Sequence, residues 1–330
     1  DFDGDGVRDV LACAGDDGED AGPNRAYCLN GVNGDVIWQH VVGGPVFSII
    51  AVDDFNDDGI PDAVAGASDQ WEIEGVAIGI DGSSGQAEWT FQVNGSSVWG
   101  IAQVGDVTFD GINDVMIGDF YGDYSTLDGA SGSEVCGGGG LGLLTGLQYA
   151  GDVNGDGHPD IVPEQFNNFV RVISGKDCST IWSTAVIDSP TVISPTNDIN
   201  NDGVNDLVIG TLFSDNYAYF LSGADGEILG SKNIGSPVDS IASIPDVTND
   251  GSWELVAGDR DGTIHCISGG IDAVTYNPAD INEDGMVGIT DLLLIIDQWG
   301  QMNVPADINN DGIVNVSDLL MLIDNWSDSP

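Results

Sequence analysis

The residues with the clearest chemistry are Asp152-Val-Asn154-Gly-Asp156-Gly157-His158-Pro-Asp160. Oxygen-bearing side chains at positions 1, 3, 5 and 9, a glycine at 6 and a backbone carbonyl at 7 describe a loop curled around a hard cation. Calcium takes six to eight oxygens at about 2.3–2.6 Å, and a glycine at the sharp turn lets alternate side chains point inward.

Close copies recur with starts 46 to 53 residues apart. The expected ligands are Asp1, Asp3, Asp5, Val7 and Asp9, then Asp54, Asn56, Asp58, Ile60 and Asp62, then Asp106, Thr108, Asp110, Ile112 and Asp114. Asp152, Asn154, Asp156, His158 and Asp160 form the fourth set, and Asp198, Asn200, Asp202, Val204 and Asp206 the fifth. Asp246, Thr248, Asp250, Ser252 and Glu254 form the sixth. The seventh position of each loop offers its backbone carbonyl. Thr108 and Thr248 replace a carboxylate or amide, and Glu254 replaces Asp, so those two sites should bind more weakly or complete the shell with water.

The charge balance agrees with cations as the counterpart. The chain of 330 residues has 55 Asp and Glu against 6 Lys and Arg, a net charge of −49. So few basic residues exclude nucleic acid and anionic membranes as partners. Acid-rich composition alone more often means solubility or salt adaptation; position decides, because 25 of the acids fall on loop ligand positions.

These loops need elements to hold them, and the repeat supplies the same parts in the same order. An apolar run precedes a loop (Val46–Val52, Val98–Val104) and another follows it (Ala63–Gly66, Leu207–Gly210). A strand ending in a Gly-rich turn comes next (27–31, 78–82, 220–223), and a last one often carries Trp (Trp38, Trp89, Trp182). Four short strands per period, punctuated by Gly and Asp, predict the blades of a six-bladed β-propeller. The first blade lacks its own first strand because the chain starts at the loop. The last shows three strands and a short candidate fourth at Ala273–Tyr276. An open edge of unpaired N–H and C=O groups invites a strand from upstream or from a neighbouring chain.

Residues 1–271 resemble the FG-GAP or integrin-alpha type of calcium-binding propeller, in which the loop joins the first and second strands of a blade. The resemblance implies one calcium per loop. Asp81-Gly-Ser-Ser-Gly-x-x-x-Trp89 is also similar to quinoprotein repeats, read as shared blade construction and not as a cofactor site.

After a linker at 272–279 the pattern becomes helical. Asp280, Asn282, Asp284, Met286 (carbonyl) and Asp291 lie at positions 1, 3, 5, 7 and 12 of a loop that runs into Leu292–Trp299. Twenty-seven residues on, Asp307, Asn309, Asp311, Ile313 (carbonyl) and Asp318 run into Leu319–Trp326. The pair, over 280–330, resembles a type I dockerin, the small α module that plugs into cohesins. The resemblance implies two further calcium ions, eight in all, and partner contacts at Ile289, Thr290, Val316 and Ser317. The basic residues that many dockerins carry on the following helix are absent, so the partner is expected to be a cohesin-like domain or another copy of this chain.

Among five Cys, Cys13 and Cys28 lie on consecutive predicted strands and form the first candidate disulfide. Cys136 and Cys178 are a weaker pair and Cys266 is left over; buried free thiols are the alternative. So many calcium loops suggest an oxidising, extracellular setting. No apolar run is long enough to span a membrane. No signal peptide is visible, and because the first motif begins at Asp1, a leader and upstream residues are expected to have been removed or to lie outside this sequence.

No nucleophile motif, P-loop or zinc pattern is present, and His40, His158 and His265 are isolated. Glu164, read as a loop tip, is the one carboxylate worth testing for catalysis. Trp71, Trp99 and Trp253 either pack between blades or present faces to sugars. The leading expectation is a non-catalytic extracellular structural or adhesion protein that assembles into filaments or layers by strand donation to the open blade. The alternative is a carbohydrate-binding or carbohydrate-active protein docked to a scaffold.

Overall fold

Short apolar runs, starting 9 to 17 residues apart and separated by Gly and Asp turns, pair with their sequence neighbours as antiparallel strands. The computed structural model describes all residues except 16–21, 72, 201, 214–215, 249–252, 269–277, 283–286, 303, 310–311 and 327–330. The first sheet is β1 (Val10–Ala14), β2 (Arg25–Leu29) and β3 (Val36–Val41). The second is β4 (Val46–Val52), β5 (Asp62–Ser68), β6 (Glu74–Ile80) and β7 (Ala87–Asn94). The third is β8 (Val98–Gly105), β9 (Asp114–Asp119), β10 (Tyr124–Leu127) and β11 (Glu134–Gly138). The fourth is β12 (Leu143–Gly151), β13 (Asp160–Phe166), β14 (Phe169–Ile173) and β15 (Thr180–Ala185). The fifth is β16 (Pro190–Pro195), β17 (Leu207–Thr211), β18 (Tyr217–Leu221) and β19 (Ile228–Asn233), and the sixth is β20 (Val238–Ile244), β21 (Glu254–Asp259) and β22 (Ile264–Ile267).

Each sheet is a meander, and together they form a six-bladed β-propeller in which, among the described residues, the first sheet has three strands and no inner one. In sheets two to six the loop joins the first and second strands, as expected. The candidate fourth strand at Ala273–Tyr276 lies outside the described residues.

Adjacent sheets pack face to face through apolar clusters. Phe2, Ala26 and Trp38 meet Val46 and Ile78; Val64 and Trp89 meet Ile101 and Leu127; Met116 and Tyr124 meet Leu144 and Ile161. Val172 and Trp182 meet Leu207 and Tyr219, and Val208 and Phe220 meet Val238 and Leu255. With both faces covered, β5, β9 and β17 are buried along their whole length. Among the described residues no cluster joins the sixth sheet to the first.

One junction device repeats. Trp38, Trp89 and Trp182, each on the last strand of a blade, donate Nε1–H to the carbonyls of Gly82, Gly129 and Gly223 in the next blade, at 2.8, 3.0 and 2.7 Å. The ring lies over a second turn glycine, Gly85, Gly132 or Gly226, whose φ of +71°, +68° or +76° suits a residue without Cβ. At the third-to-fourth junction a disulfide between Cys136 and Cys178 takes this place. The expected Cys13–Cys28 bond is absent: the register sets Cys28 opposite Leu11 and Cys13 opposite Ala26, and both thiols are free.

The helical part is α1 (Ile289–Asp297) and α2 (Val316–Asp324), packed on Ala279, Val287, Ile295, Ala306, Val314 and Leu322. Asp291 accepts from Gly288 N–H and Asp318 from Asn315 N–H, each at 2.8 Å, so each helix start is held by an acid in its first turn. No described helix is long and apolar enough to cross a membrane.

Candidate metal centres and docking surface

Loops one to five are each wound by their own side chains. The position-1 carboxylate accepts the N–H groups of positions 5 and 6: for Asp54, Asp58 at 3.1 Å and Gly59 at 2.7 Å; for Asp198, Asp202 at 3.1 Å and Gly203 at 2.8 Å. Asp1, Asp106 and Asp152 do the same. The position-5 carboxylate accepts the N–H of position 7: Val7, Ile60, Ile112, His158 and Val204, at 2.8–3.0 Å. Gly6, Gly59, Gly111, Gly157 and Gly203 all have φ between +87° and +98°, which is why position 6 is glycine. This winding gathers oxygens that repel one another.

The position-9 carboxylate has a second duty. One oxygen accepts from position 2 of its own loop and the other from a glycine in the turn between the third and fourth strands. Asp62 takes Phe55 N–H at 2.8 Å and Gly82 N–H at 2.7 Å; Asp206 takes Ile199 at 2.6 Å and Gly223 at 2.9 Å. Asp9 pairs in the same way with Phe2 and Gly31, and Asp114 with Val107 and Gly129. Asp160 binds Val153 N–H at 2.8 Å and reaches Gly175 N–H at 3.4 Å. Burial pushes Asp62 and Asp160 up to about 6 despite these donors, and raises Asp114 and Asp206 as well. At Asp9, on the open first blade, the donors outweigh burial and the pKa is lowered.

The residues fit a hard cation. Carboxylate oxygens of Asp1, Asp3 and Asp9 lie within 4.8 Å of one another. Loop three brings Thr108 Oγ1 to 3.4 Å from Asp106 and 3.5 Å from Asp114. Asn56, Asn154 and Asn200 each turn Oδ1 onto the position-5 N–H. In loop six Glu254 binds the N–H groups of Val247 and Thr248, both at 2.9 Å; Asp246 is present, while Asp250 and Ser252 lie outside the described residues. Sequence reasoning missed a further contributor. Asn30 Nδ2 donates to Asp3 at 2.6 Å and Ser222 Oγ to Asp202 at 3.2 Å, from the first residue of the following turn. The signal was the polar residue that recurs there, Asn30, Asp81, Asp128, Ser174 and Ser222.

In the helical part, Asp291 accepts from Asn282 N–H at 3.1 Å and Asp318 from Asn309 N–H at 3.2 Å, and both acids are fully buried. Asp307 accepts from Gly312 N–H at 2.9 Å, one residue before Ile313. Asp280 belongs to the described set; Asp284, Met286 and Asp311 do not. Ile289, Thr290, Val316 and Ser317 are all exposed. Residues 278–327 match the dockerin type I domain family. A dockerin binds calcium and implies a cohesin as protein partner.

The fold beyond the dockerin has relatives among solved structures. It is similar to BBS1N, in a crystal structure of its complex with ARL6DN soaked with lead, with TM-score 0.56 and 10% identity over 80% of this chain and 76% of that one. It is also similar to Saccharomyces cerevisiae Sqt1, with TM-score 0.58 and 12% identity over 75% of this chain and 65% of that one. At these identities the likeness is one of fold alone. No curated protein matches the chain in sequence.

The catalytic candidate changes character. Glu164 is in β13, not at a loop tip, and its Oε1 accepts from Ile193 N–H of the next blade at 3.2 Å and from Gln148 at 3.4 Å. Trp99 is in β8, stacked on Phe47 at 4.6 Å and tilted on Phe120 at 4.9 Å, so it packs against other aromatic rings. Trp71 and Trp253 are exposed.

Proposed function

We propose that this chain is a non-catalytic, extracellular structural or adhesion protein. A calcium-stabilised propeller of the FG-GAP or integrin-alpha kind, residues 1–271, is carried to other chains by the docking module at 280–330 through a short linker, 272–279. Up to eight calcium ions, six in the propeller and two in the dockerin, hold the acidic loops closed. The dockerin supports docking to a cohesin-like domain, or to another copy of this chain; head-to-tail contacts of the second kind propagate into a filament or layer unless the rotation closes.

The observation that carries this reading is a duplicated apolar stripe. Ile289, Leu293 and Ile296 of α1 are exposed, and so are Val316, Leu320 and Ile323, their counterparts 27 residues later, while Ile295 and Leu322 are buried. The module contains no Lys or Arg, so its partner is met by apolar contact with a polar rim. Calorimetry of the intact chain with a cohesin, in calcium and then in EDTA, tests the reading. Calcium-dependent binding is expected; its absence for cohesins, together with a monomer in calcium at high concentration by light scattering, removes it. Exposed Trp71 and Tyr121 favour a second reading, glycan binding, which retention of the intact chain on polysaccharide would support.

A further inference from the structure

The inner strands β4, β8, β12, β16 and β20 share one irregularity near their starts. Pairing steps from Val46 to Ser48, Val98 to Gly100, Leu144 to Gly146, Pro190 to Val192 and Val238 to Ser240, while the facing strand advances by a single residue. Each step is a β-bulge, and the residues left over are Phe47, Trp99, Thr145, Thr191 and Asp239. A bulge bends its strand and re-aims the extra side chain. An acidic loop follows each of these strands, so all five bulges lie around the propeller axis at the end opposite the loops. Bulge residues of adjacent blades meet there: Trp99 stacks on Phe47 with 16° between the rings.

The turn after each second strand sets a further residue against the bulge. Phe120 N–H donates to Ser97 O, just before β8, and Arg260 N–H to Pro237 O, just before β20, both at 2.9 Å. Equivalent places therefore hold Trp99 against Phe120 in the third blade and Asp239 against Arg260 in the sixth, the latter joined by hydrogen bonds of 3.2 and 2.5 Å. Tyr121, 64% exposed, extends the aromatic run from Phe120 at 5.7 Å. One side of the ring of bulges is thus an aromatic wall. The other side carries the hydroxyls of Thr145 and Thr191 and an ion pair open to solvent. Thr191 is 8% exposed, and its Oγ1 has no hydrogen-bond partner among the described residues. The same holds for Oγ of Ser48, next to Phe47. Buried hydroxyls are seldom left unpaired, so these two point to a partner outside the chain.

We infer that this ring of bulge residues is a binding site for a neutral saccharide. A pyranose has a face of C–H bonds and a rim of hydroxyls, and an aromatic wall opposite hydroxyl, carboxylate and guanidinium groups matches both. An apolar peptide would strip water from Asp239 and Arg260 and put nothing in its place. An anionic glycan would meet a chain of net charge −49, and the ring's own basic group, Arg260, is already paired. The inference deepens the glycan reading above and rests on it.

The probe is a printed array of neutral oligosaccharides, with cello-, xylo-, manno- and N-acetylglucosamine hexamers among them, followed by calorimetry of the intact chain with the tightest. Binding is expected, and Tyr121→Ala and Asp239→Ala should each weaken it about tenfold. Both side chains are exposed, so melting curves of the two variants should match that of the unaltered chain. Trp71→Ala, an exposed aromatic outside the ring, should leave binding unchanged. Undiminished binding in either ring variant, or loss with Trp71→Ala alone, overturns the site and leaves the glycan reading standing. No binding to any of the saccharides overturns both. Self-association that the ring variants abolish, without saccharide binding, gives the ring to a second copy of the chain and likewise overturns the proposal.

Discussion

Cys136 stands where Trp38, Trp89 and Trp182 stand in their blades, and Cys178 stands where the neighbouring turn has Gly85, Gly132 or Gly226. The Trp-over-Gly contact and the disulfide are thus two solutions to the same junction, one by packing plus a hydrogen bond, the other covalent. Tyr124 Oη, donating to Cys178 O at 3.1 Å, keeps a polar tie across it.

Removing the disulfide should therefore weaken that junction. Cys136→Ser with Cys178→Ser is expected to lower the unfolding free energy by about 2–4 kcal/mol. Cys136→Trp with Cys178→Gly, the solution used elsewhere in the ring, should recover part of the loss. Urea denaturation of the three proteins checks both; equal stability of the Ser and Trp/Gly variants would refute the equivalence.

The winding of the loops was legible in the sequence because it is local: oxygens two residues apart find N–H groups two to five residues away. The glycine partners of position 9 were not legible, since Gly31 lies 22 residues from Asp9 and Gly82 lies 20 from Asp62. Such a pairing depends on how the third strand returns. The Cys136–Cys178 disulfide was legible only as the weaker pair, because neighbouring predicted strands favour Cys13 and Cys28, whereas Cys136 and Cys178 take the Trp and the Gly places of the repeat. Glu164 was misplaced because the glycine expected after the second strand had moved across the sheet to Gly146.

Positions 5 and 9 of a loop should respond differently to substitution. Asp58 is exposed and serves its own loop, so Asp58→Ala should cost little in EDTA and should abolish most of the calcium-induced rise in melting temperature from that loop. Asp62→Ala leaves Phe55 and Gly82 N–H groups without their acceptor, at about 1–3 kcal/mol for each buried donor, with or without calcium. Melting curves in calcium and EDTA separate the two; parallel behaviour would show that position 9 acts only as a ligand.

Glu164 offers a pH test away from the loops. Burial raises its pKa above the ordinary glutamate value of 4.5, with donors from Ile193 and Gln148 opposing. The folded chain therefore binds this proton more tightly than the unfolded one. Its contribution is fully present below the unfolded value and is lost as pH rises through the folded one. Glu164→Gln keeps an acceptor for Ile193 and removes the charge, so it should stabilise the chain at pH 7 and flatten stability between pH 4.5 and 7. Unfolding curves across that range give the answer, and a steeper profile in the variant would contradict it.

The dockerin separates residues that hold it from residues that present it. Ile295 and Leu322 are buried at equivalent positions of the two helices, and truncating either to Ala should cost about 2–5 kcal/mol and unfold the module. Leu293 and Leu320 are their exposed neighbours, so Leu293→Asp and Leu320→Asp should leave calcium-dependent folding intact. Each change places a charge in a surface that has only apolar contact to offer, which weakens the docking in which that helix is the one engaged. Because the two stripes are equivalent, either single variant should retain partner binding through the other helix, and the double variant should lose it. Circular dichroism for folding and calorimetry for binding distinguish these outcomes. Complete loss of binding with Leu293→Asp alone would mean that the helices are engaged together and not in alternation.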